Sequence, residues 1–224
     1  MLTLKKCRSV ALSVLMVFTG VGACSPESGY QSIQGATMGT YYKVQFKNGG
    51  QCVSSQAAVD AQLLAFNQSL STYMEGSEIT IFNNDLGSNF TPVSNRFGSV
   101  VEAATSVWEQ SDGAFDVTVG PLVNLWGFGP ADSGDFPSSA AQTAAFASVG
   151  MQNLELQRTR EGSVEVFSVR KNVPGLYVDF SALAKGLGVD EVAQSLVALG
   201  CGDFMVDIGG EVRTMGLSPK ARPW

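Results

Sequence analysis

The chain has 224 residues, 45% hydrophobic and 15% charged, with 14 basic against 20 acidic residues and a formal net charge of −6. An acidic chain lacks the basic face that displaces counterions from a phosphate backbone, which argues against non-specific nucleic-acid binding. It also contains 0 histidines, which excludes Ser-His and Cys-His nucleophilic machinery within this chain and removes the commonest zinc ligand.

In chain order, Lys5, Lys6 and Arg8 form a basic start, and the uncharged run from Val10 to Ala23 follows it. This is the layout of a secretory signal peptide over residues 1–23, too short to span a bilayer comfortably. Val21-Gly22-Ala23-Cys24 is similar to the lipobox of bacterial lipoproteins, so Cys24 is expected to be acylated and to become the new N-terminus. The competing reading is an ordinary cleaved signal with a chance cysteine. Several acyl chains would hold the protein stably on the bacterial cell envelope, facing the periplasm. Cleavage removes three of the basic residues and none of the acidic ones, so the exported chain is more acidic still. Of the 4 cysteines, Cys7 leaves with the signal and Cys24 takes lipid. Cys52 and Cys201 remain, and an oxidising periplasm would allow them to pair, although nothing in the sequence shows that they meet.

Residues 24–36 read as a lipid-anchored tether, polar from Ser25 to about Gln34. Tyr41 to Phe46 alternates as a strand, with Asn48-Gly49-Gly50 as a turn. Val59, Leu63, Phe66 and Leu70 recur at helical spacing between Ser55 and Leu70. Val100, Val101, Ala104, Val107 and Trp108 mark a second helix ending at Asp112-Gly113, and Ala140 to Ser148 a third. Leu154 to Gln157 and Val164 to Val169 read as a hairpin about Arg160-Glu161-Gly162. Leu176 to Val178 reads as a short strand leading into a helix that carries Leu183, Val189, Val192, Leu196 and Leu199. Phe204 to Ile208 and Val212 to Met215 are strands joined at Gly209-Gly210. Strands and helices mix without strict alternation, so the fold class is α+β, or mixed α/β. Pro219 to Pro223 reads as a loop and Trp224 as the first residue of another element, so the chain is expected to be part of a longer domain.

Phosphate-loop, dinucleotide-fingerprint and CxxC metal patterns are all absent from the sequence. Four segments nevertheless look unlike plain core: Thr37 to Thr40, Leu70 to Tyr73 with Ser77-Glu78-Ile79, Gly113 to Gly129, and Val178 to Asp190. In the last, Asp179 or Ser181 can cap the following helix. Lys185 then falls in its first turns, where the macrodipole disfavours a cation, and Gly186 and Gly188 each cost about 1 kcal/mol relative to Ala. An anionic ligand at the helix start would offset the lysine and use the free N–H groups. Equally, Lys185 is a solvated residue and the glycines permit tight helix–sheet packing. Tyr73 reads as core packing or ligand stacking, Asp116 as a turn residue or a ligand contact, and Met38 as core filling or a site residue.

Taken together and in this order after a lipobox, these segments resemble the ApbE family, the FAD:protein FMN transferases, from about Thr37 onward. Gly113 to Gly129 and Val178 to Asp190 carry the resemblance most specifically, supported by Val206-Asp207-Ile208-Gly209-Gly210-Glu211. The resemblance implies an ApbE-like flavin transferase fold over residues 37–224 and a magnesium-dependent transfer of FMN from FAD to a Thr or Ser hydroxyl, with release of AMP. It implies flavin contacts from Met38 and Tyr73, an FAD-binding triplet of Ala114, Phe115 and Asp116, FAD contacts from Asp179 and Lys185, and a metal ligand in the Ala182 carbonyl. Lys185 is not uniform in the family, where some members carry Glu. The family's further metal-binding side chains and a His-containing segment have no match in this sequence. Acceptors implied by the resemblance are periplasm-facing subunits of membrane redox complexes, of the sodium-translocating NADH:quinone reductase or Rnf type. The competing functions are hydrolysis of FAD to FMN and AMP, and a non-catalytic flavin-binding surface lipoprotein.

Overall fold

The structure, a computed structural model, describes residues 29–130 and 136–224. The signal peptide and Cys24, with its expected lipid, lie outside the described residues. No helix among those described is long and apolar enough to cross a membrane.

The chain opens with a hairpin, β1 (Tyr30–Thr37) and β2 (Thr40–Lys47), followed by α1 (Gln56–Leu70) and α2 (Glu78–Asn84). A short β3 (Thr91–Val93) precedes α3 (Asn95–Gln110), α4 (Gly120–Leu125) and α5 (Ser139–Phe146). The second hairpin, β4 (Leu154–Glu161) with β5 (Val164–Lys171), leads to the long α6 (Ser181–Ala198) and then β6 (Phe204–Ile208) and β7 (Glu211–Met215). Two antiparallel sheets result among the described residues, in the orders β1-β2-β6-β7 and β3-β5-β4. This mixed α+β architecture agrees with the class expected from the sequence.

Serines open the helices where the apolar periodicity begins. Ser55, Ser77 and Ser94 each accept a backbone N–H three residues on, from Ala58, Thr80 and Phe97, at 3.2 Å, so one orphan donor per helix is satisfied. The strands alternate. Tyr42, Val44 and Phe46 of β2 and Phe204, Val206 and Ile208 of β6 are buried, and they face Leu63 of α1 and Val192 and Leu196 of α6. A second core lies under α2, α3 and β5, where Phe82, Phe97 and Phe180 stack edge to face with centroids 5.3 Å apart. Met38 packs against both cores. Cys52 and Cys201 form a disulfide, which joins the approach to α1 to the approach to β6.

Two expectations are corrected. Tyr30 to Gln34, read as part of the tether, instead begin β1, whose register pairs Tyr30 with Lys47 through to Thr37 with Thr40. The segment is too polar to announce a strand by itself, and backbone pairing with β2 supplies the order. Leu176 to Val178 is not a strand, although Leu176 and Val178 are fully buried. Its ladder partner is a side chain: Asn83 accepts the Val178 N–H at 2.8 Å and donates to the Val178 carbonyl at 2.9 Å.

Candidate functional site

The first turn of α6 is a wedge between two clefts. Ser181, Ala184 and Lys185 wall a cavity of about 840 Å³, completed by the β1–β2 turn and by the end of α1 with its following loop. Asp179 and Ala182 wall a second, of about 310 Å³, completed by Ala114, Phe115, Asp116, Leu122, Phe146 and Val149. Both volumes suit small-molecule sites. The sequence-predicted residues divide between them: Met38, Tyr73 and Lys185 line the first, and Ala114, Phe115, Asp116, Asp179 and Ala182 the second.

In the first cleft, Met38 and Gly39 form a two-residue hairpin turn with φ of 50° and 70°, the mirror-image turn that matches strand twist. Met38 is thus a non-glycine residue held in the left-handed region. A Cβ at Gly188 would stand 2.8 Å from its terminal methyl, so that glycine serves the packing of Met38 against α6. Gly186 has open space around it. Tyr73 is 64% exposed and donates its hydroxyl to the Phe128 carbonyl at 2.8 Å, so it is not core. Phe66 and Leu70 form an apolar floor, with the polar groups of Asn67, Ser71, Thr72 and Glu75 around it. The Lys185 ammonium pairs with Glu211 of β7 at 3.0 Å, and its stem crosses the turn at Gly209, where a Cβ would meet it at 3.2 Å.

In the second cleft, Asp116 is largely committed to the protein. One carboxylate oxygen accepts the Thr118 N–H at 2.7 Å and its hydroxyl at 2.6 Å, and the other accepts the Met151 N–H at 3.0 Å. The turn reading is therefore met, and the residue also forms part of the cleft wall. Asp179 accepts the Ser181 N–H at 2.8 Å and its hydroxyl at 2.5 Å, both on one oxygen, which secures the start of α6. Its own N–H donates to the Val117 carbonyl at 2.7 Å. A Cβ at Gly120 would stand 2.3 Å from the Tyr177 ring, so glycine there lets the two sides of the site close up. Burial pushes the Tyr177 phenol above its ordinary pKa, with Asp179 adding to the shift and neighbouring polar side chains opposing it.

No three acidic or cysteine side chains converge as a metal cluster among the described residues. Asp179 and Ala182 line the same cleft, and a carboxylate and a backbone carbonyl are oxygen donors of the kind magnesium takes. That ion ordinarily fills its remaining positions with waters and substrate phosphates, so the residues fit it as a partial ligand set. Sequence reasoning passed over Asn67, Glu75 and Glu211 as site residues. Glu211 stood within a quoted motif, but only the β7 pairing shows that it faces Lys185.

A sequence model described as the ApbE family matches residues 38–224. The chain is 36% identical to an FAD:protein FMN transferase of Haemophilus influenzae, over 99% of this chain and 64% of the relative. It is 38% identical to one of Vibrio cholerae, over 96% and 62%. Among solved structures, the flavin transferase ApbE from Vibrio cholerae superposes with a TM-score of 0.79 at 39% identity, over 87% of this chain and 62% of that one. The apo form of Pseudomonas stutzeri flavinyl transferase ApbE gives 0.76 at 34% identity, over 87% and 64%. The chain spans somewhat less than two thirds of the length of these relatives.

Proposed function

The chain belongs to the ApbE family, and we propose that it binds FAD across the two clefts and transfers FMN to a Thr or Ser hydroxyl of a target flavoprotein, releasing AMP. The observation that carries this reading is the wedge itself. One helix start separates an open cavity bearing Met38 and Tyr73 from a smaller one bearing Ala114, Phe115 and Asp116, as a ligand with two ring systems joined by a pyrophosphate requires. The flavin ring would lie between Met38 and the exposed Tyr73. The nucleotide end would meet the 114–116 wall, and Lys185 would face phosphate charge from the α6 side.

In the transfer, the acceptor hydroxyl oxygen forms a bond to the phosphorus of the FMN half. The bond from that phosphorus to the bridging oxygen breaks, that oxygen leaves on AMP, and the hydroxyl proton passes to solvent water. Catalysis of such a displacement rests on positioning and charge stabilisation. A magnesium ion held by Ala182 and Asp179 would supply Lewis-acid stabilisation of the pyrophosphate. The chain's own residues bind the two ends of FAD, orient the pyrophosphate over the start of α6 and hold Lys185 at the rim.

We place the protein on the bacterial envelope, lipid-anchored through Cys24 and facing the periplasm. The Cys52–Cys201 disulfide supports an oxidising compartment. Its acceptors would be exposed subunits of membrane redox complexes, such as the NADH:quinone reductase or Rnf type. The test is to incubate the protein with FAD, magnesium and a peptide bearing a Ser/Thr flavinylation-type motif. Covalent flavin on the peptide is the expected result. FMN and AMP in solution without labelled peptide would replace transfer by hydrolysis, and tight FAD binding with neither product would leave a binding protein.

A further inference from the structure

Leu176 to Val178, the segment that leads into α6, pairs with no strand among the described residues. We infer that Asn83, at the end of α2, is a positioning residue for the ligand-binding face of that helix. This inference rests on the flavin reading of the two clefts.

The backbone polar groups of Val178 are fully buried and would be orphaned in a segment that joins no sheet. The Asn83 amide satisfies both, accepting the Val178 N–H at 2.8 Å and donating to its carbonyl at 2.9 Å across 95 residues of sequence. Asn83 is itself 8% exposed, so this clamp is shielded from competing water. Immediately after it, Asp179 is tied to the Val117 carbonyl and closes the first turn of α6 through Ser181. The residues so fixed are those that wall both clefts: Asp179, Ser181 and Ala182. Asn83 is anchored in turn. Lys171 of β5, 2% exposed, donates to the carbonyls of Phe82, Asn83 and Asp85, and so ties the end of α2 to the second sheet. The contacts run without a break from β5 through Lys171 and Asn83 to Val178 and the α6 wedge. Loss of the amide would leave α6 packed on both cores through its apolar side chains but would release the backbone that enters its first turn, and small misplacements of a binding group are costly.

The experiment compares the full chain with Asn83→Ala, Asn83→Asp and, as a destabilising control in the other core, Val44→Ala. FAD affinity is read by quenching of flavin fluorescence, and local opening by amide hydrogen exchange. Asn83→Ala should weaken FAD binding by about tenfold or more and speed exchange at Val178 and the first turn of α6, leaving the β4–β5 hairpin protected. Asn83→Asp keeps an acceptor for the Val178 N–H and should fall between the two; it carries the test if the alanine variant does not fold. Val44→Ala should lower stability and keep its affinity for FAD. Unchanged FAD affinity in both Asn83 variants, or a loss of affinity matched by Val44→Ala, would overturn the inference and leave the flavin reading standing. Failure of the unaltered chain to bind FAD would overturn both.

Discussion

Lys185 stands in the first turns of α6. A cation in the first turns of a helix opposes the macrodipole, and the sequence offered either a ligand anion or open water as its relief. The fold provides a third, the Glu211 carboxylate at 3.0 Å. The pair is partly exposed, 34% and 42% at the two side chains, so solvent screening limits its contribution to stability to about 1 kcal/mol or less. Lys185 nevertheless lines the larger cleft, where a phosphate can share its ammonium. Lys185→Ala should therefore leave the melting temperature nearly unchanged and weaken FAD binding by roughly fivefold, the equivalent of about 1 kcal/mol. A titration that shows unaltered affinity would reduce Lys185 to a surface ion pair. Met38, Tyr73 and Asp116 broke no local rule and stood out only through the family resemblance. What each one touches depends on segments far away in sequence, such as Met151 for Asp116 and Phe128 for Tyr73.

At the scale of elements, α1, α3, α5, α6 and the β4–β5 hairpin follow from periodicity, capping serines and turn residues. The elements that escaped are the polar β1 with 8 residues and three short ones, α2 with 7, β3 with 3 and α4 with 6. A pattern of that length completes barely two helical turns, and tertiary packing decides its state. The exposed side of the β4–β5 hairpin carries ion pairs that make a prediction about acid. Arg158 holds the Glu165 carboxyl below its usual range, and Arg170 does the same for Glu155. Both groups bind a proton less readily in the folded chain than in the unfolded one. Their contribution is therefore complete above the unfolded value near pH 4.5 and is lost as pH falls through the lowered one. Thermal melts should show stability falling below about pH 4.5, with a shallower fall in Glu165→Gln. An identical acid limb in that variant would show that these surface pairs carry no net stability.

At the scale of the molecule, the described residues form two cores joined at Met38 and at α6, with the site where they meet. The disulfide spans 149 residues of chain, so breaking it frees most of the described chain from a crosslink in the unfolded state. Chain-entropy reasoning gives at most about 5 kcal/mol for a loop of that size. A reductant should shift the urea midpoint clearly downward, by an amount that Cys201→Ser reproduces; equal midpoints with and without reductant would mean that the thiols contribute nothing as a crosslink. The sequence by itself determined the α+β class, the longer helices, most of the strands, the apolar faces and the family, because these depend on local periodicity and on contiguous motifs. Tertiary structure alone decided that β1 begins at Tyr30, that Cys52 meets Cys201, that Glu211 neutralises Lys185 and that Asn83 stands in for a strand beside Val178. Each of these is a contact between residues distant along the chain. Nothing in the covalent order specifies such a contact until burial forces every polar group inside to find its partner.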